Sequence, residues 1–213
     1  MERGISIGRG GLIFVASALL LWMMPVALLG YTETFYVCHG GDGTDPKSGN
    51  AATAWDSGNV SNSANWSSNV STVDGKIGPG DRVYFMSDGG SITSSVGTEV
   101  ITIQGSGAPG YPITLQGDGT VVIDGENARM AINAPRKADY VVISNLKATR
   151  GLSFTLGFWN CHYWVVEHCE IWGTYSTGTH DGSNVAGCGD YNLFQYNDIH
   201  DTSHNHCIAA KFP

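Results

Sequence analysis

Tyr140-Val141-Val142-Ile143-Ser144-Asn145-Leu146, Tyr163-Trp164-Val165-Val166-Glu167-His168-Cys169-Glu170-Ile171 and Tyr191-Asn192-Leu193-Phe194-Gln195-Tyr196-Asn197-Asp198-Ile199 follow one plan. Each runs from a tyrosine through a short apolar strand and a polar step to another apolar residue. The tyrosines are 23 and 28 residues apart. Self-similarity at roughly 20–50 residues marks a stacked solenoid, in which each repeat packs on its neighbours. Register-equivalent residues then lie about 4.8 Å apart, one strand spacing, so side chains distant in sequence form columns.

Composition agrees with a β-rich chain. Among 213 residues 29 are glycine, and charged residues make up only 14%. Short strands joined by Gly, Asn, Asp and Ser turns give this balance. Beyond residue 30 no stretch sustains a helical apolar period, so few helices are expected. Residues 1–30 read differently. Arg3 and Arg9 precede an almost wholly apolar run from Gly11 to Leu29, and Gly30 offers a small residue for cleavage. This is a signal peptide or, because the run is long, an uncleaved membrane anchor. The rest of the chain is expected to be secreted or extracytoplasmic.

The net charge is −8. Loss of residues 1–30 removes two arginines and one glutamate, leaving the chain one unit more negative. That excludes nucleic acid as a natural partner, since its binding depends on neutralising phosphates. A polyanionic ligand would need a local basic patch or a bridging cation such as Ca²⁺. Five cysteines are present, an odd number for an exported protein. Cys161 and Cys188 lie just before Tyr163 and Tyr191. If the tyrosines stack, these two thiols either form a disulfide or stack as buried residues.

Residues 31–80 read as an N-terminal cap region, with Trp55 and Trp66 as packing anchors, and residues 81–213 as solenoid rungs. The ordered motifs Tyr36-Val37, Gly41-Asp42-Gly43-Thr44, Pro79-Gly80-Asp81-Arg82-Val83-Tyr84, Gly107-Ala108-Pro109-Gly110-Tyr111-Pro112-Ile113-Thr114 and Val122-Ile123-Asp124-Gly125 resemble the start of secreted right-handed parallel β-helix proteins. That superfamily contains pectate lyases and related polysaccharide lyases, hydrolases and epimerases. The resemblance covers roughly residues 34–213 and implies an all-β, right-handed parallel β-helix. A capping helix usually precedes the Pro-Gly-Asp turn, but Asn65-Trp66-Ser67-Ser68 has little helical character, so the cap is expected to be irregular. The chain stops at Lys211-Phe212-Pro213 after about four rungs with no capping segment, and further rungs are expected beyond it.

Aligning the first strands of the rungs sets Ala131, Phe154, Val185 and Ile208 as equivalents. Counting back four residues from the last three gives Arg150, Asp181 and His204 as one column, with His180, His206 and Lys211 beside it. A cation, a carboxylate and an imidazole together suit acid/base work on a sugar. The resemblance to polysaccharide lyases implies a Lys or Arg that removes the proton α to a uronate carboxyl and a cation that neutralises that carboxyl. Lys211 or Arg150, with His204, would be catalytic, and Asp181 would be a Ca²⁺ ligand. Tyr175, His180 and His206 would contact substrate, Tyr175 from an insertion at residues 173–182. The competing reading of the column is a set of solvated ion pairs.

Other motifs carry less. His200, His204 and His206 form a His-rich tract, but strand alternation splits the set needed for zinc. Asn145 and Asn197 are expected to form an amide ladder at a bend, with Cys169 in the middle rung. Gly105 to Gly110 matches a dinucleotide fingerprint in letters only, because a strand follows it and not a helix. Sequons at Asn59, Asn65 and Asn69 matter only in a glycosylating pathway. The reading is therefore a monomeric, secreted polysaccharide-active protein of lyase type, attached to a membrane only through an uncleaved N-terminus. The alternatives are a non-catalytic adhesin or glycan-binding scaffold, and a glycoside hydrolase using Asp181 with Asp201. Fold alone does not choose among them.

Overall fold

The structure, a computed structural model, describes residues 31–95, 97–135, 137–176, 182–203 and 206–211, with His206, Ala210 and Lys211 placed by backbone only. Fifteen short strands among these residues form three sheets, and every strand-to-strand ladder is parallel. The first sheet is β1 (Thr34–Val37), β2 (Arg82–Phe85), β4 (Ile113–Gly117), β7 (Val141–Ser144), β10 (Val165–Glu167) and β13 (Leu193–Gln195). The second is β5 (Val122–Asp124), β8 (Lys147–Thr149), β11 (Glu170–Trp172) and β14 (Asp198–His200). The third is β3 (Glu99–Thr102), β6 (Met130–Ala134), β9 (Phe154–Phe158), β12 (Ser183–Cys188) and β15 (His206–Lys211). From β4 onward the chain visits the three sheets in turn and adds one strand to each per rung, whereas β1, β2 and β3 precede the first strand of the second sheet. The protein is a right-handed parallel β-helix, the hand that parallel crossovers take.

The core follows from alternation along each strand, since successive side chains point to opposite faces. Phe35, Val83, Leu115, Ile143, Val166 and Phe194 stack in one inward column of the first sheet. Ile123, Ala148, Ile171 and Ile199 do so in the second, and Ile101, Ile132, Leu156, Val185 and Ile208 in the third. The columns meet along the axis, and most of their members are almost fully buried. Trp164 fills a corner of this core. It is 0% exposed, lies on Phe158 with ring centroids 5.0 Å apart, and donates its indole N–H to the Ala138 carbonyl.

At the N-terminal end the cap is more helical than the sequence suggests. A short helix α1 (Ser57–Ser61) starts at Asp56, whose carboxylate accepts the Asn59 N–H at 2.8 Å. A 3₁₀ turn, Ser63–Asn65, follows it. Asn65 ends that turn and Trp66 is extended, so the helix lies upstream of Asn65-Trp66-Ser67-Ser68 and still precedes the Pro-Gly-Asp turn. Val60 is buried, and Ser61 Oγ accepts the Thr102 N–H at 3.0 Å, which fixes the helix on β3. Trp55 stacks on Phe35 at 4.9 Å, and Trp66 donates to the Val60 carbonyl at 2.7 Å, so both tryptophans are packing anchors. No helix among the described residues is long and apolar enough to cross a membrane.

Asp81 of the Pro-Gly-Asp turn is 1% exposed and accepts the N–H groups of Glu33 (2.9 Å) and Gly78 (2.8 Å). Burial outweighs these bonds and raises its pKa from 3.8 to about 6. The folded state therefore holds a proton on Asp81 more tightly than the unfolded chain does. Its stabilising contribution is present below about pH 4 and is lost as pH rises through about 6. Thermal unfolding of the wild type and Asp81→Asn at a series of pH values should show the wild type losing ground to the variant between pH 4 and 7. Trp164→Ala should lower stability by about 3–5 kcal/mol in a denaturant titration, through cavity formation and the lost indole hydrogen bond.

Candidate functional site

Each strand of the second sheet ends on one column. Thr149, Trp172 and His200 are register partners, so Arg150, Gly173 and Asp201 occupy the corner that follows in three successive rungs. All three have left-handed backbone, with φ of 48°, 68° and 51°. Their amides tie the rungs together: Arg150 N–H donates to the Trp172 carbonyl at 3.3 Å and Gly173 N–H to that of Asp201 at 2.9 Å. Gly173 brings no side chain to the column. A Cβ there would lie 3.1 Å from Thr149 Oγ1, in a backbone conformation that strains any L side chain. The Arg150 and Asp201 backbones are thus two strand spacings apart, about 10 Å, with the Gly173 notch between them.

The charges at this edge are arranged rather than scattered. Asp124, 5% exposed, takes the Arg150 guanidinium through Nε at 2.9 Å and through Nη2. The pair raises the Arg150 pKa further, mainly through the hydrogen bonds to Asp124, so Arg150 stays a cation. Its side chain is 51% exposed, and Nη1 has no partner among the described residues. On the far side of the notch His200 lies between two carboxylates, with Nδ1 3.0 Å from Asp201 Oδ2 and Nε2 3.5 Å from Glu170 Oε1. The hydrogen bond to Asp201 is the main reason its pKa rises above 6.5. Glu170 is held as a carboxylate below its ordinary 4.5 by Lys147, whose Nζ is 3.0 Å away. Trp172 stacks on the His200 ring at 6.0 Å and 9°.

Tyr175 sits on the turn beyond this corner and pairs with Leu152 of the preceding rung. It is 47% exposed. A buried polar knot holds the turn: Thr174 N–H donates to Asn184 Oδ1 at 3.1 Å, and Thr174 Oγ1 reaches Asn184 Oδ1 and Thr155 Oγ1, both at 2.6 Å. Arg150 and Tyr175 therefore lie near one edge, on successive rungs. Asp124, Glu170 and the notch at Gly173 were not foreseen as site features, and His200 was read only as part of a His-rich tract weighed for zinc. The pairing of Lys147 with Glu170 could have been found by carrying the tyrosine register three steps further along each strand.

The column of Arg150, Asp181 and His204 does not follow from the observed register. Its alignment set Phe154 beside Val185, whereas Phe154 pairs with Ser183 and Leu156 with Val185. Leu156 is the core residue, 1% exposed, while Phe154 packs edge-on against Trp159 at 5.5 Å. Counting back from Leu156 leads to Leu152. His180, Asp181 and His204 lie outside the described residues. His206 begins β15 opposite Ser183, and Lys211 ends it opposite Cys188, about 16 Å further along the strand. Lys211 is thus at the opposite end of the third sheet from Arg150, and its side chain is outside the description.

The proposed Cys161–Cys188 bridge is not formed; both are free thiols. The register puts Gly189, not Cys188, beside Cys161. Cys161 Sγ instead donates to the Trp159 carbonyl at 3.3 Å, and Cys188 Sγ accepts the Asn160 N–H at 3.2 Å. Asn145 and Asn197 do not share a ladder either. Asn145 aligns with His168 and Tyr196, and Asn197 with Leu146 and Cys169. Asn197 still bonds the rung before it, accepting from Cys169 N–H at 2.9 Å and donating to the Val166 carbonyl at 2.8 Å. No group of three or more His, Cys, Asp or Glu among the described residues is placed to hold a metal ion.

No protein-family model and no curated protein matches the chain. Among solved structures, that of pectate lyase Pel9A is similar, with 15% sequence identity and a TM-score of 0.47 over 81% of this chain and 52% of that one. The chain spans about half the length of that structure. Asn184→Ala should destabilise the protein by about 1–3 kcal/mol, because it leaves the buried Thr174 N–H without an acceptor. Chemical denaturation, together with faster proteolysis within residues 173–182, would show it.

Proposed function

We propose that the protein is a secreted polysaccharide-active β-helix protein that holds a uronate-containing glycan at the end of the second sheet and cleaves it by β-elimination. The observation that carries this reading is the half-exposed Arg150, whose Nη1 is left open by Asp124, in one corner column with the His200–Asp201 pair beyond the Gly173 notch. Arg150 is a cation and not a base, because Asp124 stabilises its charged form. Its role is to pair with the sugar carboxylate and so acidify the neighbouring C–H. Neutral His200, oriented by Asp201, takes that proton. The C–H electron pair becomes the new C=C bond, the glycosidic C–O bond breaks, and His200 returns the proton to the departing oxygen. Tyr175 offers an exposed ring face to a flanking sugar.

The acidic chain raises the question of how a polyanion would approach. Arg150 provides one local cation, and a bridging Ca²⁺ through Asp181 is the natural supplement. Because the described donors do not compose such a site, no step of the chemistry is routed through it. The raised His200 pKa fixes the sign of the pH dependence. The base form grows as pH rises, so the rate should climb through an inflection above 6.5. Asp201→Asn should move that inflection down.

The test is ultraviolet absorbance of the unsaturated uronate product against a panel of polyuronates, with and without Ca²⁺. A rise is expected, and His200→Gln should reduce its rate about 100-fold or more while circular dichroism stays unchanged. A folded protein that gives no rise on any polyuronate, or a His200→Gln variant with full activity, would overturn the reading.

A further inference from the structure

A second groove, of about 310 Å³, runs along the bend between the first and second sheets. One wall is the corner column Asn145, His168 and Tyr196, and the other is Lys147, Glu170 and Asp198 at the start of the second sheet's strands. The corner residues all have left-handed backbone, with φ of 52°, 53° and 55°, which turns their side chains out beside the strand column. The His168 and Tyr196 rings stack at 5.1 Å and 12°, and Tyr196 is 75% exposed. The groove therefore offers an aromatic wall and a charged wall side by side, parallel to the axis of the helix.

The charged wall is not balanced. Lys147 is taken up by Glu170 at 3.0 Å. Asp198 is exposed, and its carboxylate has no hydrogen-bond or ion-pair partner among the described residues, acting on His200 only through charge. With one ammonium against two carboxylates, the wall repels an anionic sugar and attracts a cation. An aromatic ring next to an open carboxylate suits a ligand with an apolar ring face and a positive group.

We propose that this groove is a separate binding site for a sugar carrying a free amino group, its ring set against Tyr196 and its ammonium on Asp198. The site uses none of the residues assigned to β-elimination, and its occupation does not require that reaction. A failed elimination assay would leave it standing.

Isothermal titration of the full chain with an oligomer of β-linked glucosamine tests it, with the N-acetylated oligomer and a uronate oligomer as comparisons. The glucosamine oligomer should bind about ten-fold more tightly than the acetylated one, from one exposed ion pair and one cation–π contact together. Its affinity should fall as salt is raised. Asp198→Asn and Tyr196→Ala should each weaken it about five-fold. Both side chains are at the surface, and thermal melts would confirm intact folding. Equal binding of the two oligomers, binding of neither, preference for the uronate oligomer, or unchanged affinity in Asp198→Asn would each overturn the proposal.

Discussion

The three rungs from Tyr140 onward are bent by single residues in left-handed backbone, and the rest of the structure depends on those corners stacking. Tyr140, Tyr163 and Tyr191 make the corner before the first sheet, Asn145, His168 and Tyr196 the corner before the second, and Arg150, Gly173 and Asp201 the corner after it. Left-handed geometry costs an ordinary residue about 1–2 kcal/mol. It persists because the corner amides donate across rungs, as Tyr140 does to the His162 carbonyl at 3.0 Å and Tyr163 to that of Asp190 at 3.2 Å. Ring stacking adds to this: the three tyrosines lie 4.6 and 5.0 Å apart, within 6° of parallel. Corners that failed to stack would throw the apolar columns out of line, since a one-residue slip turns each side chain to the other face.

The corners also explain where function can be placed. Inward positions are committed to Ile, Leu, Val and Phe, and the outward strand positions are shared between neighbours in the ladder. A left-handed residue projects its side chain away from both. Arg150, Asp201, His168 and Tyr196 are all corner residues, or lie in one corner column with a glycine between them. The two grooves on either side of the second sheet are thus a consequence of how the chain turns.

That logic also marks what was legible in the sequence. The tyrosine period was visible because a large aromatic recurs in front of an apolar run, and the register it implied for the first sheet is the one observed. The third sheet was harder. Phe154 looked like the first core residue of its strand, but its ring packs outside on Trp159, and Leu156 is the true partner of Val185. Size and polarity do not reveal which face a residue takes when the length of the preceding corner is unknown. For Cys161 and Cys188, two and three residues before their tyrosines, and for Asn145 and Asn197, five and six after theirs, the tyrosine register itself sets each pair one step apart in the ladder.

Electrostatics joins the two edges of the second sheet. Lys147, Glu170, His200 and Asp201 form a run of alternating charge when His200 is protonated, with contacts of 3.0, 3.5 and 3.0 Å. Asp198 acts on His200 as well, raising its pKa through charge alone. A strand of three residues spans about 10 Å, close to the distance over which physiological salt screens exposed charge. The two edges are therefore near enough for a cation at Asp198 to ease the deprotonation of His200, and for a carboxylate beside Arg150 to hinder it. By linkage, protonation of His200 acts in return on any charge bound at either edge. A chain with few charges can keep such a run specific, because each of its members already has a named partner and little other field competes with them.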